Sequence, residues 1–195
     1  MLDKNTEVPS GLLHQAFVAT PLTTDLVALD YAAYMASPDV IRVHSDGRWP
    51  VDGFTIEENH KQVAQHQADH EALRAFTFLL LDPDQGESLG CLYLNPLHDY
   101  LRRVEADRRT LTRFPAESAM VTFWLRQDHQ DTGLAKVVAE AVNAWLLDAW
   151  PVKAHLFRLL PTEHASRKAM ERLGLSAVTL PLAGEQRPYI WYQPR

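Results

Sequence analysis

Apolar positions along this chain change period several times, and each change marks an element. After an apolar run at Phe17-Val18-Ala19, Leu26, Leu29, Ala33 and Ala36 recur at helical spacing. That stripe predicts a helix capped by Thr24 and stopped near Ser37-Pro38. Gly47, Pro50 and Gly53 mark 41–53 as a loop, and Thr55-Ile56-Glu57-Glu58 is a capping-box pattern opening a second helix that runs to about Arg74. Phe76 to Leu81 and Ser88 to Leu94 read as strands, joined by Asp82-Pro83-Asp84-Gln85-Gly86, turn chemistry for an antiparallel pair. Met120 to Leu125 is a third strong strand. Gly133 then opens the most regular helix of the chain, with Ala135, Val138, Val142, Trp145, Leu146 and Ala149 on one face and Pro151 at its close. His155 to Leu160 is the next strand, Ala165, Ala169 and Leu173 give a shorter helix ended by Gly174, and Ala177 to Leu180 with Tyr189 to Tyr192 form a closing hairpin.

The alternation of strand and helix from Met120 to Gly174 requires crossover connections, so the central strands start out parallel while the flanking hairpins make the sheet mixed. No repeat or linker-like shift in composition interrupts the chain, and 195 residues suffice for one sizeable core. Residues 1–195 are expected to form one α/β domain.

Composition narrows the partners. A formal charge of −6 lacks the surplus of Lys and Arg that phosphate neutralisation on nucleic acid demands. Cys91 is the only cysteine, which excludes an intrachain disulfide and a cysteine-based metal site. Neither a signal-peptide run nor a membrane-length apolar stretch is present, so a cytoplasmic protein without a membrane partner is expected. Monomer and homodimer both stay open.

The stretch with most chemical content runs from Leu125 to Ala135, where a buried strand meets a helix amino terminus. Amides at a helix start lack intrahelical partners and favour anions, a glycine at 133 permits close backbone approach, and Ala135 keeps the next turn slim. By itself this is a weak signal that packing alone would also explain. A second motif follows at Glu163-His164-Ala165-Ser166-Arg167-Lys168-Ala169-Met170-Glu171-Arg172-Leu173-Gly174-Leu175. Gln130-x-x-Gly133-x-Ala135 and this second stretch together resemble, in order and separation, the pyrophosphate loop and the next helical motif of the GNAT acetyltransferases. The pattern is closest to the branch of ribosomal-protein N-acetyltransferases.

The resemblance implies a mostly antiparallel mixed sheet with one splayed parallel strand pair, flanked by about four helices, and acetyl-CoA wedged in the splay with no metal required. It implies that Leu125 meets the pantetheine arm, that Gln130, Asp131, Thr132, Gly133, Leu134 and Ala135 hold the pyrophosphate, and that Glu163 and Ser166 also face the cofactor. Ser166 falls where that branch places a hydroxyl near the thioester sulfur. Glu163 stands where the family often has Asn, and Met120 where related enzymes carry a glutamate. The implied reaction is acetyl transfer to an amine of a small molecule or a peptide amino terminus. An acyl-CoA-binding module without catalysis is the alternative that Met120 and Glu163 keep open, and an unrelated α/β nucleotide-binding domain is a third.

Candidate bases are Glu117, His98 and Asp99. His44, Trp49 and His60 are candidates for the acceptor side, in or near the first two helices. His66 and His70 have the i, i+4 spacing of metal ligands but no third ligand is identified, and no metal site is expected. The run Arg102, Arg103, Arg108, Arg109, Arg113 is interrupted by acids and is read as a solvated segment, with recognition of an acidic acceptor as the alternative.

Overall fold

A computed structural model describes residues 2–3, 5–45, 47–49 and 51–194; Pro50, one of the loop signals above, and Lys4 lie outside them. The described residues form eight strands, β1 Leu12–His14, β2 Phe17–Pro21, β3 Phe76–Leu81, β4 Ser88–Pro96, β5 Ser118–Leu125, β6 Ala154–Leu159, β7 Ser176–Val178 and β8 Ile190–Gln193. They make one sheet in the order β1-β2-β3-β4-β5-β6-β8-β7. Only β5 and β6 are parallel. The helices are α1 Val27–Met35, α2 Pro38–His44, α3 Ile56–Glu71, α4 Leu97–Arg103, α5 Arg108–Arg113, α6 Leu134–Asp148 and α7 His164–Arg172.

Among the described residues seven helices flank the sheet where about four are expected, and the three extra ones are short. Pro38 shows why α2 is hidden in the sequence. Its ring does end α1's reach, but the same fixed φ suits the first turn of a new helix, and α2 begins on it. Part of the expected 41–53 loop is therefore helical. Thr24 does not cap α1; it opens a single 3-10 turn, and its amide bonds Gln67 Oε1 at 3.0 Å. The capping box at Thr55 is present in both directions, Thr55 Oγ1 accepting from the Glu58 amide at 3.2 Å and Glu58 Oε2 from the Thr55 amide at 2.8 Å. The arginine run divides between α4 and α5, the latter capped by Asp107.

β3 and β5 are buried along their whole length because helices cover both faces of the sheet. α6 and α7 bury Val138, Val142, Trp145 and Met170 against Phe78, Phe123 and Phe157 on one face. Alternate residues of the same strands point the other way. There α1, α2 and α3 cover Leu79, Leu81, Cys91 and Trp124, while α4 covers Met120, Leu156 and Trp191. The α6 stripe ends differently from the expected one: Ala149 is exposed, and Trp150 takes its place in the core.

α1 turns a different face inward from the one the apolar pattern suggests, burying Val27, Asp30 and Ala33. Asp30 tolerates burial because Asn59, the buried polar residue of α3, donates to its Oδ2 at 2.9 Å. Desolvation still outweighs that bond and pushes the Asp30 carboxyl up from its ordinary 3.8 to about 6. Between those values the folded chain retains a proton that the unfolded chain releases. Stability from this group is thus intact below pH 4 and declines as pH rises toward and past 6.

At the β3–β4 pair the register slips between Leu80 and Leu81, and Gly90 opposite Leu125 has φ 147°. A Cβ there would overlap the Trp124 carbonyl. Gly90→Ala should therefore lower the unfolding free energy by more than about 2 kcal/mol in denaturant titration, since strain and steric overlap combine. Asp30→Asn should stabilise the chain at pH 7, by up to about 3 kcal/mol for a shift of roughly two pH units, and lose that advantage by pH 4. An unchanged difference between variant and parent across pH 4–7 would contradict the assignment.

Candidate active site

Parallel pairing of β5 with β6 runs from Ser118↔Ala154 to Val121↔Phe157 and stops there. β6 continues through Arg158 and Leu159 on its other side with β8. From Thr122 onward the β6-facing backbone of β5 has no strand to pair with, and a cleft of about 300 Å³ opens between the diverging ends. Phe123, Trp124 and Leu125 form one wall, Thr162 to Ser166 the other, and Asp39, Val40 and Val43 of α2 the rim. α2 is fixed there because Ser37 Oγ accepts from the Gln127 amide at 3.1 Å.

The loop leaving β5 turns sharply into α6. Gly133 sits at φ 84°, the left-handed region, and directs the chain into α6. The amides of Asp131, Gly133 and Ala135 make no hydrogen bond among the described residues. A Cβ on Gly133 would meet nothing within 4 Å, so the space before the loop is open. That space continues into a second cavity of about 280 Å³ between the α6 and α7 starts, lined by Lys136, His164, Lys168 and Arg172. His164, Lys168 and Arg172 lie one turn apart on α7, a stripe in which Lys168 and Arg172 are cations and whose i, i+4 spacing is visible in the sequence. Asp131 is the carboxylate at the junction of the two cavities.

Individual residues divide. Gln130, Asp131, Gly133 and Ala135 line these cavities, whereas Thr132, whose exposed hydroxyl donates to the His129 carbonyl at 2.9 Å, and Leu134 line another cavity beside Ala16 and Leu89. Gln130 Nε2 donates to the Leu125 carbonyl at 2.7 Å, so its side chain shapes the loop. Ser166 lines the cleft, and its hydroxyl makes no hydrogen bond among the described residues. Glu163 lines it too, with both oxygens engaged: Oε1 lies 3.2 Å from His44 Nδ1, and Oε2 accepts from the Leu160 amide.

His44 of α2 thus reaches Glu163 of the cleft wall without lining the cleft itself, its ring stacked on Tyr93 with centroids 6.1 Å apart. A carboxylate can only accept, so the hydrogen of this pair sits on Nδ1. Trp49 packs edge-on against Phe54 at 5.1 Å and lies outside the cleft. His60 is exposed on α3 and likewise lies outside it, because Asn59 and Val63 hold the inward face.

The structure does not bring Glu117 to the cleft. It precedes β5, roughly 25 Å of strand from Leu125, and its carboxylate pairs with Lys153 at 3.3 Å. Hydrogen bonding, first to its own backbone and then to Lys153, holds its pKa below the ordinary range. His98 stands at that same far end, bonded to the Phe114 carbonyl at 2.9 Å, and Asp99 pairs with Arg102. Met120 belongs to the still-paired part of β5 and packs under α4. His66 bonds Thr77 and His70 wedges against Phe76 and Phe78; among the described residues no cluster suits a metal ion. No helix of the described residues is long and apolar enough to cross a membrane.

Known proteins share this architecture. An acetyltransferase from Salmonella typhimurium that modifies the amino-terminal serine of 50S ribosomal subunit protein L7/L12 is 14% identical over 96% of this chain and 97% of its own, with a TM-score of 0.65. A ribosomal-protein alanine acetyltransferase from Vibrio fischeri is 16% identical over 95% and 96%, with a TM-score of 0.66. The microcin C7 self-immunity acetyltransferase MccE, in complex with acetyl-CoA and AMP, is 13% identical over 96% and 97%, with a TM-score of 0.68. At such identity the likeness is one of fold. No curated protein matches the sequence significantly. Residues 18–176, however, match the acetyltransferase (GNAT) domain, which is most of the chain. The chain belongs to the GNAT acetyltransferase domain family, enzymes that take their acyl group from acetyl-CoA.

Proposed function

We propose that this protein transfers acetyl from acetyl-CoA to an amine of a small molecule or of a peptide amino terminus by direct attack on the thioester. The observation that supports this most is the cleft where β5 and β6 part, with the unpaired amides of Asp131, Gly133 and Ala135 at its mouth. In this reading those amides and the cationic stripe of α7 hold the pyrophosphate, and the pantetheine arm adds to the free edge of β5 as an extra strand would.

The acceptor nitrogen must be neutral to attack. A lysine-like amine gives up about 4–5 kcal/mol at pH 7 to reach that form, an α-amine near pKa 8 only about 1. In this reading His44, paired with Glu163 of the cleft wall, takes the ammonium proton on Nε2 while Glu163 fixes the tautomer. This assigns Glu163 an orienting role in place of contact with pantetheine, because both its oxygens are occupied. The carbon–nitrogen bond then forms, and as the carbon–sulfur bond breaks the nitrogen's remaining extra proton passes through the Ser166 hydroxyl to the departing thiolate, which restores the hydroxyl. At a thiol pKa of about 8.5 that last step is worth at most about 2 kcal/mol.

Acetyl-CoA binding followed by thermal shift and calorimetry, and CoA release over an amine panel, test the proposal. Gly133→Val should weaken acetyl-CoA roughly tenfold or more, since a β-branched residue is strained at φ 84° and the loop would have to leave its present course. His44→Gln should lower kcat on the order of 100-fold with acetyl-CoA affinity unchanged. Ser166→Ala should cost no more than about 30-fold in turnover. Equal affinity of the parent and the Gly133 variant would remove the loop assignment, and unchanged kcat in the His44 variant would remove the base. Tight acetyl-CoA binding with no turnover on any amine would overturn the acetyltransferase reading itself.

A further inference from the structure

On the sheet face opposite α6, a cavity of about 460 Å³ is walled by Arg48, Tyr100, Arg103, Arg158, Glu185, Arg187 and Tyr189. Four guanidinium groups surround one carboxylate, in a chain whose formal charge is −6. The concentration of positive charge is therefore local and opposes the net charge of the molecule.

The groups are built in. Arg158 lies on β6, one residue past Phe157, the last residue paired with β5, so it stands where the strands begin to part. Its guanidinium carbon lies 4.2 Å from the Tyr189 ring centre and 4.9 Å from that of Tyr100, two faces that hold the plane in place. Its Nε is buried with no acceptor among the described residues, a cost that a bound anion would relieve. Arg48 and Arg103 make no ion pair among the described residues either. Glu185, the one carboxylate of the lining, is held by the Tyr100 hydroxyl and the Arg187 amide, and its single charge leaves the four guanidinium groups in surplus. Arg187 Nη1 donates to the Tyr189 hydroxyl at 2.8 Å, which further fixes that ring.

The cavity shares no lining residue with the cleft, but two links bring them near. Arg48 follows His44 in the same short segment, and Arg158 is close enough to Glu163, on the cleft wall, for the carboxylate to act on its ionisation. Burial is the larger influence there and lowers the Arg158 pKa, which a bound anion would oppose.

We propose that this arginine cavity receives an anionic group, phosphate or carboxylate, carried by the acceptor amine, and so restricts the acceptor to anionic amines. The proposal rests on the acetyltransferase reading above, which supplies the amine. Arg is suited to the task because its planar fork meets such oxyanions in pairs of hydrogen bonds.

Inorganic phosphate and acetate, titrated calorimetrically into CoA-saturated protein so that the pyrophosphate loop is occupied, separate the two anion sources. Saturable binding of at least one is expected, weakened roughly tenfold or more in both Arg48→Gln and Arg103→Gln. Both side chains are exposed, so these variants spare the core. Among matched amines, phosphoethanolamine should outrun ethanolamine in CoA release, or β-alanine should outrun β-alaninamide. Absence of saturable binding for both anions, identical binding in the parent and both variants, or preference for the neutral twin in both pairs would overturn the proposal. Failure of CoA itself to bind would instead overturn the acetyltransferase reading, and the anion titrations into the free chain would still decide the cavity.

Discussion

Four residue pairs of parallel ladder hold β5 and β6 together, from Ser118↔Ala154 to Val121↔Phe157, and then the strands separate. Nearly everything functional in this molecule follows from where that ladder ends. A sheet strand cannot leave its amides and carbonyls unmet in a dry interior, so a strand edge freed in mid-sheet must be met by water or by a ligand able to hydrogen-bond in strand fashion. β6 resolves its own side by pairing with β8, and the free edge of β5 is what remains. The same divergence places the β5 exit loop and the amino end of α7 opposite each other, and both cavities of the cofactor side lie between them.

Packing explains why the split is stable. Below the parting point the strands are buried on both faces, by α6 on one side and α4 on the other. Above it, aromatic residues of β5, Phe123 and Trp124, still face cores on opposite sides, so the strand keeps its course although one neighbour has gone. Gly90 contributes from the other side, letting β4 approach the Trp124 carbonyl where any side chain would intrude.

Much of this was legible in the chain. The period of α6, the β3–β4 hairpin and the small residues at 133 and 135 each have a local physical cause that leaves a local trace. What escaped depends on contacts between distant segments. Asp30 looks like a surface residue until Asn59 is brought to it, which is why the inward face of α1 reads wrongly from apolar spacing. Glu117 and His98 look like plausible bases until strand direction shows that they stand at the end of β5 away from the cleft. The arginine cavity draws on the 45–55 loop, α4, β6 and the segment before β8, and no window of sequence contains more than a part of it.

His44 and Glu163 are 119 residues apart in the chain, and each depends on separate packing to reach the other. The contact joins the short helix ahead of the 45–55 loop to the turn that opens α7, so a disturbance of the packing under either segment would be felt at the other.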